Sequence, residues 1–87
     1  MLSISSDALF MLMDDEMVAM NTATDRYFNI SDTGSRIWCL IEDQETGVEI
    51  LYRELVSFFA GEDPETIKTD MFEFLDSCAD LGLINID

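Results

Sequence analysis

Nineteen carboxylates, two cysteines and no histidine are what this chain has for chemistry. Without histidine, neither a Ser-His-Asp nor a Cys-His nucleophile can be assembled within it. Cys39 and Cys78 fall in helical patterns among mostly apolar neighbours, where buried free thiols are expected rather than a disulfide. Two cysteines without histidine do not complete an ordinary zinc site. Paired carboxylates can act as acid and base, but these are scattered over turns and helix surfaces, and no spacing singles out a pair. A glycine-rich phosphate loop and a dinucleotide fingerprint are both missing. The residues point to no catalysis, no metal and no cofactor. They point to a domain that offers a surface.

Asp76-Ser77-Cys78 is the nearest approach to a modification signal. Small acidic helical carriers bear phosphopantetheine on the serine of an Asp-Ser-Leu motif. Here the third residue is cysteine, and Ser77 lies near the C-terminus rather than at the start of a central helix. A β-rich beginning also disagrees with an all-helical carrier.

The formal net charge is -15, with only Arg26, Arg36, Arg53 and Lys68 as cations. Such a field repels phosphate backbones and anionic lipid, so neither nucleic acid nor membrane is an expected partner. It attracts a cationic segment; the plainer reading is that the acids keep the protein soluble. Eighty-seven residues with 48% hydrophobic content suit one domain with one modest core. No apolar run approaches the roughly 18 residues of a membrane span. The first residues have no basic segment of the secretory type, so the cytoplasm is the simplest location.

The elements that must position any site divide into a β-rich first third and a helical remainder. Leu9 to Met13 and Met17 to Met20 are short apolar runs joined by the polar turn Asp14-Asp15-Glu16. Asn21 to Asp25 is polar and turn-forming. Arg26 to Ile30 is a third strand with two aromatics. Short connections predict an antiparallel meander whose third strand is an edge unless a later segment supplies its neighbour. Alternation puts Phe28 and Ile30 on the core face and Tyr27 and Asn29 on the other.

Ser31 is placed to cap a first helix carrying Ile37, Trp38 and Ile41, with Trp38 as core anchor. Glu42 to Glu45 interrupts the pattern. Thr46 to Glu49 has the form of a capping box and opens a second helix with Val48, Leu51, Leu55, Phe58 and Phe59, ended by Gly61. Asp63-Pro64 is the clearest helix start. The third helix runs to about Asp80, with Ile67, Met71, Phe74, Cys78 and Leu81 as its main stripe. Gly82 stops it, and Leu83 to Ile86 can fold back onto the core. Beside that stripe runs a second row, Lys68, Phe72, Leu75, Asp76 and Ala79. It is either a wide core face or one wall of a groove.

A hairpin followed by three helices also describes a winged helix, whose last helix would read DNA. The exposed positions of that helix include Glu65, Asp70, Glu73, Asp76 and Asp80, with Lys68 as its single base, so the DNA role is not supported.

Met20 to Trp38, MNTATDRYFNISDTGSRIW, carries a further signal. It resembles the pattern LDxxTGxYxxLNxxGxxIW of the PqqD-like family, matching at Thr24, Tyr27, Gly34, Ile37 and Trp38, with Met20 and Ile30 as conservative substitutes. Asn21, Asp25 and Ser31 depart from it. Asp25 accepts a left-handed turn better than most residues, and Ser31 keeps the capping role. The likeness continues through Asp70 to Leu75 and Leu81 to Ile84, and so covers roughly residues 9 to 84.

The resemblance implies an α+β, winged-helix-like fold: a three-stranded antiparallel sheet followed by three helices in a single domain, residues 1–87. It implies a catalytically inert module that binds the leader segment of a ribosomally made precursor peptide. The leader adds a strand to the third strand and drops side chains into a cleft against the third helix. The module presents it to a processing enzyme: a lasso-peptide protease, a radical-SAM protein or a cyclase-type enzyme. An unpaired edge strand is a template for such addition on physical grounds alone. The expected peptide-binding residues are Arg26, Tyr27, Phe28 and Asn29 on the strand, with Lys68, Met71, Phe72, Leu75 and Asp76 on the helix. An acidic carrier or adaptor subunit without leader recognition is the alternative. The edge also permits pairing with a second copy, so monomer and dimer both stay open.

Overall fold

A computed structural model describes residues 1–43 and 46–86. In chain order the elements are β1 (Leu2–Ile4), β2 (Ala8–Met13), β3 (Glu16–Asn21), β4 (Arg26–Asn29), α1 (Asp32–Asp43), α2 (Val48–Phe58), α3 (Pro64–Asp80) and β5 (Ile84–Ile86). The expected meander is present as an antiparallel sheet of order β2-β3-β4, followed by three helices. Asp14 and Asp15 reverse the chain between β2 and β3 with φ of 50° and 67°, the pair of left-handed residues that a two-residue hairpin turn uses. Asp25, with φ 60°, takes the left-handed position that closes the β3–β4 turn.

Two short strands were not anticipated. β1 and β5 pair antiparallel as a separate ribbon, Leu2 opposite Ile86. Three residues are too few to display a period, which hides both in the sequence. The fold-back of Leu83 to Ile86 takes this form, with Leu83 and Ile84 buried.

Trp38 is 1% exposed and stacks on Phe10, ring centroids 5.3 Å apart. Around it lie Ile37, Ile41, Leu51, Leu55, Ile67, Met71 and Cys78, one stripe from each helix. Ser31 caps α1 as expected, its Oγ accepting from the Gly34 N–H at 3.1 Å. Asp63 does the same for α3, accepting from Glu65 N–H at 3.1 Å, with Pro64 in the first turn. Gly82, at φ 72°, ends α3: its N–H bonds to the Ala79 carbonyl, and the Leu83 N–H bonds to that of Cys78. Asn21 is buried and donates from Nδ2 to the Leu81 carbonyl at 3.0 Å. That bond ties the end of β3 to the end of α3, and only an amide, not a carboxylate, can make it.

The capping box does not form. α2 begins at Val48 behind Gly47, with no side-chain cap. Thr46 lies in an extended bridge to Leu2, whose N–H donates to its carbonyl at 2.7 Å, and this pulls Thr46 out of the capping position. α2 also ends earlier than Gly61, with Phe59 as its cap. Gln44 and Glu45, part of the expected break after α1, lie outside the described residues.

Gly34 marks the tightest helix contact. A Cβ there would sit 2.8 Å from Ile30 Cγ2 and 2.9 Å from the Phe74 ring. Gly34→Ala is therefore expected to cost about 1–3 kcal/mol through overpacking, read as a lowered urea midpoint. An unchanged midpoint would mean that ring and isoleucine can move aside freely.

Candidate functional site

The Ile30 N–H donates to the Met17 carbonyl at 2.8 Å. Antiparallel pairs alternate between bonded and non-bonded positions. With Ala19 opposite Phe28 and Asn21 opposite Arg26, the backbone groups of Phe28 and Arg26 thus turn toward β3. Those of Tyr27 and Asn29 turn outward. Among the described residues no strand pairs with this outer edge, because β5 joins β1 instead.

The edge opens onto a cleft. Phe28, Asn29, Ser31 and Thr33 line one side; Asp70, Glu73, Phe74 and Ser77 of α3 line the other. The cleft holds ≈ 390 Å³, room for a few side chains of an extended segment. Phe28 and Phe74 meet with ring centroids 6.0 Å apart and form its apolar part. Asp70 and Glu73 stand one helical turn apart, and no lysine or arginine lines the cleft. A second depression, lined by Asp15, Glu16, Met17, Asn29, Ile30, Ser31 and Asp32, shares Asn29 and Ser31 with the first. The Asn29 amide donates to Glu16 Oε2 at 2.6 Å across the mouth of the hairpin.

The structure treats the expected site residues unevenly. Phe28 and Asn29 line the cleft. Tyr27 is 60% exposed on the outer face of the sheet, opposite Met20, and reaches the edge through its backbone. Arg26 is exposed at the start of β4 but lines neither depression. Met71 and Leu75 are corrections: at 1% and 2% exposure they are core and cannot wall a groove. Lys68, Phe72 and Asp76 are exposed, but none lines the cleft.

The reason is rotational. Each helical residue turns about 100°, so rows on either side of a core stripe look alike in sequence. Phe74 meets Phe28, and this brings Asp70, Glu73 and Ser77 beside β4. The row through Lys68, Phe72 and Asp76 falls on the opposite flank. Ser31, Thr33, Asp70, Glu73, Phe74 and Ser77 also line the cleft, and none of them is among the peptide-binding residues expected from the sequence. The usable signal was Phe74 itself, an aromatic in the stripe that can reach the aromatic of the third strand.

Fold and edge together define a small α+β domain whose three-stranded sheet has two edges, β2 and β4, and among the described residues β4 is the one that borders the cleft against α3. The chain belongs to the PqqD family, described as Coenzyme PQQ synthesis protein D, which matches residues 16–84. Among solved structures it is similar to one described as TbiB1 in complex with the TbiA(beta) leader peptide. That chain is 28% identical with a TM-score of 0.76, over 98% of this chain and 99% of that one. It also shares its fold with a lasso peptide synthetase B1 complexed with the leader peptide, 15% identical with a TM-score of 0.77, over 98% of each chain. No curated protein sequence matches. No helix is long and apolar enough to cross a membrane among the described residues, and none of their acidic or thiol side chains group as a metal site.

Both cysteines are free, but only Cys78 is buried; Cys39 is exposed, against expectation. Cys39 lies beside Arg36, Phe58 and Phe59, on the flank of α1 where the Arg36 guanidinium stacks 4.2 Å over the Phe58 ring. Burial pushes the Cys78 thiol from 9.0 up to about 12. At pH 8 a thiol reagent is therefore expected to react quickly with one equivalent, and Cys39→Ser to abolish that phase. The folded Cys78 keeps its proton where the unfolded chain loses it. Stability is then full below pH 9 and declines as pH rises toward 12. Two fast equivalents at pH 8 would contradict this assignment.

Proposed function

We propose that this protein captures the leader segment of a ribosomally made precursor peptide as an added strand on β4 and delivers it to a processing enzyme. The observation that carries this reading is the unpaired outer edge of β4, lying against an aromatic and acidic cleft. Backbone bonds from Tyr27 and Asn29 supply affinity that tolerates many sequences, and alternate side chains entering the cleft supply selection. Leader-bound structures of similar fold support the same role. The protein contributes no catalytic group of its own; a protease, a radical-SAM protein or a cyclase-type enzyme does the chemistry. The leader and a second copy compete for one edge, so the leader-bound form is monomeric at β4. Free thiols on both cysteines suit a reducing cytoplasm.

The cleft residues of this proposal are Phe28, Asn29, Asp70, Glu73, Phe74 and Ser77, with Tyr27 acting through its main chain. Titration of the fluorescently labelled leader of the precursor made beside this protein tests it. Tyr27→Pro removes an outward N–H while sparing the β3 ladder, and is expected to weaken binding about tenfold, the equivalent of one lost hydrogen bond. Phe72→Asp, on the opposite flank of α3, should leave binding within twofold while lowering the thermal midpoint by a few degrees at most. Absence of binding by the unaltered protein at hundreds of micromolar would defeat the proposal.

A further inference from the structure

Resting on that reading, the cleft also specifies what the leader must carry. We infer that the recognised segment places a lysine or arginine two residues from a large apolar side chain, the basic group against Asp70 and Glu73 and the apolar one against Phe28 and Phe74.

The strand edge, not the acids, defines where the peptide lies. A strand added to β4 directs every second side chain toward α3, on the same face as Phe28. Consecutive cleft-facing residues are then about 6.7 Å apart. On α3, Asp70, Phe74 and Ser77 lie along one side of the helix axis, Phe74 about 6 Å from Asp70 at 1.5 Å per residue. Where the added strand runs along α3, the two spacings match closely enough for one incoming side chain to meet the Phe28–Phe74 pair and the next to meet Asp70, with Glu73, at the level of Phe74, within reach of a long basic side chain.

Those carboxylates have no cation of their own. Arg36 stacks on Phe58, Arg53 lines a separate groove with Glu49 and Tyr52, and Lys68 and Arg26 do not line the cleft. Neither Asp70 nor Glu73 has a side-chain hydrogen bond or ion pair among the described residues. An acidic leader residue at this position would meet two like charges. A basic one gains two partners on a surface where water is partly excluded by the added strand. General attraction from a net charge of -15 would favour any cationic peptide. The inference is narrower, because it ties the preference to one position relative to the apolar anchor.

The experiment is selection of a displayed peptide library, nine randomised positions in an extended scaffold, against the unaltered protein. Synthetic copies of the winners are then titrated by fluorescence anisotropy. Three variants are compared: Tyr27→Pro, the pair Asp70→Asn with Glu73→Gln, and the pair Glu49→Gln with Glu54→Gln on α2, which changes net charge equally outside the cleft. The expected winners carry lysine or arginine two positions from leucine, isoleucine or an aromatic. Their affinity should fall about fivefold with the cleft pair and less than twofold with the α2 pair. Winners that depend on Tyr27 but show no such spacing, or that respond equally to both pairs, would overturn the inference and leave strand addition standing. If no winner is weakened by Tyr27→Pro, strand addition itself fails and the inference with it.

Discussion

The close approach of α1 to Phe74 governs the rest of the molecule. Gly34 leaves no side chain between the start of α1 and the Phe74 ring, and Ile30 closes the same contact from the end of β4. The ring is thereby held against Phe28, and α3 is fixed in rotation beside the sheet. A methyl group at this position would press on the ring that keeps this flank of α3 toward β4.

Around that contact the division of labour is physical. Main-chain groups of β4 can bond to almost any extended segment, which gives affinity with little discrimination. Any discrimination would have to come from side chains, and in the cleft beside β4 those are two aromatics and two carboxylates together with Asn29, Ser31, Thr33 and Ser77. Nineteen acids spread over the surface draw cationic segments over long distances, but salt screens that pull beyond about 10 Å. Charges inside the cleft act at contact range. For a cationic segment, the far field and the local pair would therefore act at different stages of one encounter.

Much of this was legible in the residues. Alternation at Tyr27, Phe28, Asn29 and Ile30 placed the right side chains inside, and Ser31, Asp63-Pro64 and Gly82 marked helix ends that the structure keeps. The motif from Met20 to Trp38 led to the correct family. What failed was anything set by tertiary contact alone. Thr46 has the local form of a cap but serves β1 instead. β1 and β5 are too short to show a period. The flank of α3 that faces β4 is not legible in the sequence, because a helix stripe announces which side is buried, not which neighbour stands to its left or right. Cys39 looked buried by its neighbours, yet the stripe of α1 passes through Trp38 and Ile41 and leaves it outside.

The β1–β5 ribbon has an architectural consequence. Leu2 and Ile86 are directly paired, so the polypeptide enters and leaves the fold at one place. None of the cleft residues belongs to either strand. Such a layout can be spliced into a host protein, or appended to one, through short tethers without obstructing β4. Tethered in this way, anything docked on β4 would be held at an effective concentration set by linker length.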